Sequence, residues 1–154
     1  MNILENQKYI FGSIFLLANK LQVIGDKYMG TDGMTTKQWF LTAIISQFGE
    51  NPPTLSEVAD LMGSSRQNVK QLALKLQEKK FLKIEQDEQD ARALRLKLTK
   101  ISIDFWGKRE NKDNQFIKDL FEDFSQEDIE IIAKGFKKFF EKIEKIGNYH
   151  LGVI

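Results

Sequence analysis

The apolar residues of this chain recur at helical spacing, then switch to strand spacing, then switch back. Between residues 3 and 29, Ile10, Ile14, Leu17, Leu21, Ile24 and Tyr28 follow one another at three- and four-residue steps, one face of a helix. Leu4, Phe11, Phe15 and Ala18 make a second stripe, and a helix apolar on more than one side needs more than one packing partner. GTDG at 30–33 ends it with turn residues. Thr35 or Thr36 can cap a second helix, KQWFLTAIISQF, which stops at Gly49; the prolines of ENPP then exclude helix. In TLSEVADLMG, Thr54 and Glu57 have capping-box spacing, and Leu55, Val58, Ala59 and Met62 share an inner face. Gly63 breaks this short helix. Ser65 suits the N-cap of the next, RQNVKQLALKLQEKK, with Val69, Leu72, Ala73 and Leu76 inward.

At FLKIEQ the period drops to two. Leu82 and Ile84 alternate with Lys83 and Glu85, and Leu94, Leu96 and Leu98 alternate with Arg95 and Lys97. The two runs predict a hairpin with Asp87–Ala93 as its loop. Thr99 caps a long helix predicted to reach about Phe124, polar throughout its centre at 107–115. Ser125 and Asp128 restart a last helix, lined by Ile129, Ile132, Phe136, Phe139, Phe140, Ile143 and Ile146. The tail HLGVI carries no clear signal, and no internal repeat or low-complexity stretch interrupts the chain.

Composition narrows the function. At 154 residues the chain is expected to form one domain, with or without helical arms. It has no cysteine, which excludes disulfides, thiol oxidation as a switch, and cysteine-bound zinc. That fits a reducing compartment and a cytoplasmic location. The N-terminus lacks a basic region, an uninterrupted apolar core and a small-residue cleavage site, so it does not read as a signal peptide. No apolar run approaches the ~20 residues of a membrane span. The one histidine, His150, lies near the C-terminus and offers no zinc set; no spacing of Asp and Glu singles out an oxygen-ligand site. No metal or other cofactor is therefore expected. Most nucleophile–base pairs are also unavailable, no Gly-rich phosphate loop appears, and Glu127 and Asp128 fit helix capping better than catalysis. The chain does not read as an enzyme.

The net charge of +1 hides an asymmetry. Residues 1–63 carry four basic and six acidic groups, residues 64–100 ten and five, and residues 101–154 nine and eleven. The positive charge thus gathers in one quarter of the chain. That points either to a polyanionic partner or to a solvated basic face. Short helix, tight turn, longer helix and hairpin, in this order, are a helix-turn-helix followed by a wing. The longer helix, 65–79, turns Ser65, Arg66, Gln67, Asn68, Lys70, Gln71 and Lys75 away from its apolar face. Arg and Lys can donate to guanine O6 and N7, and Asn or Gln can pair with adenine N6 and N7. The free N–H groups near Ser65 suit a phosphate. In the wing, 87–95, an arginine can reach a minor groove, where narrow AT-rich segments concentrate negative potential. Asp90 can hold the guanidinium of Arg92 or Arg95 in position; the plainer reading is a surface ion pair that staples the hairpin, worth ~0–1 kcal/mol.

Residues 55–99, LSEVADLMGSSRQNVKQLALKLQEKKFLKIEQDEQDARALRLKLT, resemble the winged helix-turn-helix of the MarR family of transcriptional regulators. The Asp-x-Arg wing followed by a strand ending in Leu-Thr carries most of the resemblance. More loosely it extends over the flanking helices, including the FSQEDIE restart. It implies a mainly α fold with a small β-hairpin: a winged helix-turn-helix at 34–99 within a single domain 1–154, and long dimerisation helices at 1–33 and 100–154. It also implies a homodimer on a pseudo-palindromic operator of double-stranded DNA, a repressor, with Arg92 as the minor-groove arginine and Ser65, Gln67, Asn68, Lys70 and Gln71 facing the major groove. Many members of the family release DNA when a small molecule binds. Two departures stand out. Lys80 occupies a place where the family usually has glycine, so the chain either bears a positive-φ cost or changes the turn. Ala91 stands where a basic residue is common.

The two-sided helix 3–29 and the Ile/Phe-rich 129–146 fit helices that bury surface across a dimer; a monomeric bundle is the alternative. Phe11, Phe15, Trp39, Phe40, Phe105 and Trp106 could line a pocket for a small apolar or aromatic effector, though aromatics at helical spacing are more often plain core. A winged helix used for protein contact, without DNA, is the other functional reading. It predicts an apolar or mixed outer face on 65–79, where only Leu74 is apolar.

Overall fold

The computed structural model describes the backbone of residues 2–151 and the side chains of residues 2–147. The side chain of His150 and the end of the HLGVI tail lie outside the described residues. In chain order the elements are α1 (Ile3–Gly30), α2 (Thr36–Ser46), α3 (Leu55–Met62), α4 (Arg66–Glu78), β1 (Leu82–Gln86), β2 (Leu94–Leu98), α5 (Lys100–Leu120) and α6 (Gln126–Leu151). This is the mainly α fold with one hairpin that the patterning predicts. Contacts divide the chain into two compact units, Met1–Gly107 and Lys108–Ile154.

Local chemistry sets the helix starts of the first unit. Asn2 and Glu5 form a reciprocal capping box on α1, as Thr35 and Gln38 do on α2 and Thr54 and Glu57 on α3. Each box gives two orphan N–H groups a partner within the first turn. The Ser65 hydroxyl caps α4, accepting from the Asn68 N–H at 3.1 Å. Gly63 closes α3 in the left-handed region, φ 63°, where a side chain would be strained.

The core gathers Leu41, Ile44 and Ile45 of α2, Val58 and Ala59 of α3, Val69, Ala73 and Leu76 of α4, and Leu82 and Leu96 of the strands. β1 and β2 pair antiparallel, with Leu82 opposite Leu98, Lys83 opposite Lys97, Ile84 opposite Leu96 and Glu85 opposite Arg95. The loop between them is 87–93, as the alternation predicts. One face of the ladder is therefore leucine and isoleucine on the core, and the other is charged.

α1 covers only part of its predicted apolar stripe within the single chain. Most of its predicted stripe is exposed: Ile10, Leu17, Leu21 and Ile24 face solvent in the single chain. The helix meets α2 near its C-terminal end, where Gly25 and Met29 are buried. Thr36 Oγ1 donates to the Gln22 carbonyl at 3.2 Å, and the Thr36 N–H donates to Asp26 Oδ1 at 2.8 Å. A Cβ on Gly25 would overlap Thr36 Oγ1, so the close approach requires glycine. The far end of α4 is tied to the same corner. Lys79 Nζ donates to the Gly33 carbonyl and, at 3.2 Å, to Gln38 Oε1.

Lys80 keeps the turn and bears its cost: its φ is 63°, the one positive value at a non-glycine among the described residues. The Phe81 N–H reaches back to the Leu76 carbonyl at 2.9 Å and the Lys80 N–H to that of Gln77 at 2.9 Å, a left-handed helix ending. The left-handed form costs an L-residue ~1–2 kcal/mol, and glycine gives back part of that through ~0.5–1 kcal/mol of lost backbone entropy. Lys80→Gly is therefore expected to raise stability by about 0.5–1 kcal/mol in urea unfolding. An unchanged midpoint would mean the turn is not strained.

In the second unit α5 ends at Leu120 rather than at about Phe124. The Phe121 N–H still reaches the Ile117 and Lys118 carbonyls, each at 3.2 Å, and a turn follows. Ser125 must leave helical geometry to cap α6. Its N–H and hydroxyl donate to Asp128 Oδ2 at 3.0 and 2.6 Å, and its Oγ accepts from the Asp128 N–H at 3.1 Å. These bonds hold the Asp128 carboxyl below the usual carboxylate range, the hydroxyl contributing most. Ile129, Ile132, Phe136, Phe139, Phe140, Ile143 and Ile146 are all exposed in the single chain.

Candidate nucleic-acid interface

α4 is amphipathic with an apolar inner face. Val69, Ala73 and Leu76 are fully buried, which fixes the rotation of the helix. The opposite face then follows from 3.6-residue geometry. Ser65, Arg66, Gln67, Asn68, Lys70, Gln71 and Lys75 are all exposed, as the sequence predicts for the groove-facing set. Leu74, 42 % exposed, is the apolar residue among them. The Ser65 hydroxyl accepts its capping bond and can still donate its own proton to an oxygen.

The wing loop is built by carboxylates accepting backbone N–H groups. Asp87 Oδ2 accepts from Gln89 and Asp90 at 3.2 and 3.0 Å, Asp90 Oδ1 accepts from the Arg92 N–H at 3.0 Å, and the Ala93 N–H closes on the Asp90 carbonyl at 2.9 Å. Asp90 therefore shapes the turn and does not clamp a guanidinium. The carboxylate that holds one is Asp87, which pairs with Arg95. The reason is geometric. Arg95 lies in β2 just beyond the loop, and the hairpin folds it back onto the loop's first residue, while Asp90 spends its oxygen on the turn. Arg92 is exposed, and among the described residues its guanidinium has no ion-pair or hydrogen-bond partner.

Arg95 has a second tie that sequence reasoning missed. Its Nη1 donates to the Pro52 carbonyl at 2.6 Å, the Leu96 N–H donates to the Pro53 carbonyl at 2.9 Å, and Thr54 forms a bridge with Arg95. The ENPP segment thus acts as a short third edge of the wing. A proline has no N–H but keeps its carbonyl, and nothing in sequence spacing shows which strand will use it. Arg95 sits half-buried at the wing's base, joining loop, strand and ENPP, and Arg92 sits exposed on the loop.

Arg95 holds the Asp87 carboxyl below its ordinary value, with help from the loop N–H groups. The Glu57 carboxyl is lowered by the backbone and hydroxyl of Thr54 and more weakly by Arg95. A carboxyl whose folded value is depressed contributes stability above the unfolded value, here 3.8 for Asp87, and loses it as pH falls through the lower folded value. Asp87→Asn is expected to destabilise the wing at neutral pH and to differ progressively less from the parent as the pH drops below about 4. Chemical-shift titration of the 87–95 amides checks this; equal loss at every pH would contradict it.

The six aromatic candidates fall into neighbouring pairs. Phe11 and Phe15 meet edge-to-face with centroids 5.2 Å apart, Trp39 and Phe40 stack at 6.4 Å, and Phe105 and Trp106 meet edge-to-face at 4.9 Å. Phe105 also packs on Phe81 at 5.1 Å, and both Phe105 and Trp106 lean on the core. Phe11, Phe15, Trp39 and Phe40 are exposed. Among the described residues no group of three or more His, Asp or Glu is placed to hold a metal ion, and no helix is long and apolar enough to cross a membrane.

No protein-family model and no curated protein matches this sequence. Solved structures do match the fold. A MarR/EmrR family transcriptional regulator from Acinetobacter sp. ADP1 is 21 % identical, with a TM-score of 0.77 over 94 % of this chain and 99 % of its own. The transcriptional regulator BldR from Sulfolobus solfataricus is 12 % identical, with a TM-score of 0.79 over 92 % of this chain and 99 % of its own. MepR of S. aureus, solved as a complex with DNA, is 18 % identical, with a TM-score of 0.74 over 88 % and 96 %. The winged helix-turn-helix and its flanking helices therefore give this chain the fold of the MarR-family transcriptional regulators.

Proposed function

We propose that the protein is a homodimeric, sequence-specific DNA-binding transcriptional regulator, a repressor, working in the cytoplasm. Helix 65–79 enters the major groove and the wing 87–95 lies along the adjacent minor groove. The observation that carries this reading is the presence of two exposed features in one compact unit: the polar, cationic face of α4 and the unpartnered guanidinium of Arg92. Arg66, Lys70 and Lys75 supply phosphate and guanine contacts, and Gln67, Asn68 and Gln71 suit adenine edges. The MepR–DNA complex, which shares this fold, supports it.

The dimer rests on apolar area. Phe11, Phe15, Leu16 and Leu17 on α1 and Phe136, Phe139, Phe140 and Ile143 on α6 are each more than 40 % exposed in the single chain. On each helix taken by itself, exposed large apolar side chains in this number favour an interface. Two copies would present recognition helices about one DNA turn apart, hence a pseudo-palindromic operator. Release by a small apolar or aromatic effector against Phe11, Phe15, Trp39, Phe40, Phe105 and Trp106 completes the proposal, and quenching of Trp39 and Trp106 fluorescence would report it.

Selection of bound sites from random duplexes tests the reading in one experiment. The expected result is a two-fold-related motif with half-sites ~10 base pairs apart, bound with an affinity that falls steeply with salt. Recovery of no motif, with a flat salt response, would refute DNA readout and favour a protein-contact module, for which exposed Leu61 and Leu74 would be the anchors.

A further inference from the structure

The outward line of α4 carries one side chain that polar contacts to DNA leave unused. Val69, Ala73 and Leu76 are buried, so at about 100° per residue the positions turned farthest from the core are Gln67, Gln71, Leu74 and Glu78. Leu74 is 42 % exposed and belongs neither to the core nor to the residues packed against it. Around it on the surface stand Lys70 one turn earlier, Gln71, and Lys75 next in the chain, all exposed. Among the described residues neither lysine has an ion-pair partner.

A leucine set between two unpaired cations fits a partner that is anionic yet offers isolated methyl groups. Duplex DNA is such a partner: phosphates flank the major groove, and each thymine presents a C5-methyl within it. A protein partner would call for more apolar surface beside Leu74, and the adjoining outward positions are Gln71 and Glu78. Spacing agrees with the DNA partner. Gln67, Lys70, Gln71 and Leu74 stand at i, i+3, i+4 and i+7, one stripe of a helix lying in a groove. Leu74 lies ~4.5 Å farther along the helix axis than Gln71. That is on the order of one base-pair step, ~3.4 Å. One turn on, Glu78 places a carboxylate on the same line, and phosphates repel it. The stretch of α4 that can approach base edges therefore ends at Leu74.

We propose that Leu74 is a specificity-determining residue that reads a thymine in each half-site. Its branched end packs on the C5-methyl of the base pair next to the one Gln71 contacts. The inference rests on the DNA-binding function proposed above and deepens it: one base is discriminated by apolar contact rather than by a hydrogen bond. Uracil separates the two modes. It keeps every hydrogen-bonding group of thymine and lacks only the methyl, so only a residue that touches the methyl senses the exchange.

The test takes the selected operator and replaces each thymine in turn by deoxyuridine, symmetrically in both half-sites, with binding by the full chain followed by fluorescence anisotropy. Burying one methyl is worth about fourfold in affinity, so the paired exchange should weaken the parent by about ten- to twentyfold at one thymine position. Leu74→Ala changes an exposed side chain to the best helix former, and circular dichroism checks that it folds. This variant should bind the thymine operator at least tenfold more weakly than the parent does and lose less than twofold more when uracil replaces that thymine. The non-additivity marks the two groups as being in contact. If the parent binds its operator but is indifferent to uracil at every position, this proposal fails and the DNA-binding function stands. Uracil sensitivity that survives in full in Leu74→Ala would give the methyl to another residue and overturn the proposal as well. A parent that binds no duplex would overturn the DNA-binding function and this inference together, and would return Leu74 to a protein contact.

Discussion

Replacing Arg92 by alanine is expected to weaken binding to a selected operator duplex by about ten- to a hundred-fold, while thermal stability stays at the parent value. The magnitude follows from the ~1–3 kcal/mol of a well-placed groove arginine, at about tenfold per 1.4 kcal/mol. The separation of affinity from stability follows from the wing's construction. Backbone N–H groups accepted by Asp87 and Asp90 hold the loop in shape, and the Arg92 side chain is not among those ties. Arg95→Ala is the informative contrast. It removes the ties to Asp87 and Pro52, so affinity and wing order should fall together. Should Arg92→Ala bind as the parent does, and Lys70→Glu likewise, helix and wing would not be reading DNA.

Leu76→Ala is expected to cost ~2–5 kcal/mol in equilibrium unfolding, the largest single effect on stability proposed for this chain. Leu76 is completely buried in the core formed by α2, α3, α4 and the hairpin. Truncation loses the transfer free energy of the side chain and leaves a cavity the close-packed neighbours fill only in part. Against a typical total of ~5–15 kcal/mol, that removes much of the margin holding α4 in register. Because Val69, Ala73 and Leu76 together set the rotation of the recognition helix, DNA affinity should decline near the unfolding midpoint and not before it. A loss below about 1 kcal/mol would mean that α4 does not depend on this packing.

Much of the architecture was legible because it is written in short-range chemistry. A capping box needs two residues three apart, so Thr54 with Glu57 and Ser125 with Asp128 marked their helix starts, and Ser65 marked its own. The hairpin loop was readable because period-two alternation stops at Gln86 and resumes at Leu94. The outer face of α4 was readable because a buried Val69–Ala73–Leu76 stripe leaves one arrangement for everything else. Sequence was less informative where a choice depended on direction in space. It offered Asp90 as the guanidinium's partner, since Asp90 and Arg92 are two apart. Periodicity runs α5 on by about a turn, because Phe121 and Phe124 fit the helical period, whereas the Ser125 cap of α6 requires the chain to leave helical geometry before it.

By itself the sequence determined the order of helices and strands, the hairpin and its loop, the cationic segment 64–100 and the side chains on the outer face of α4. Each depends on spacing along the chain, which the periods 3.6 and 2 convert directly into faces. Only the tertiary structure decided that Asp87 rather than Asp90 holds an arginine, that this arginine is Arg95, and that the Pro52 and Pro53 carbonyls complete the wing's base. It also decided that Gly25 is where α1 meets α2. These contacts join residues 8 to 43 positions apart or sit at the crossing of separate elements. Their partners are selected by how finished helices and strands pack, and spacing along the chain carries no record of that.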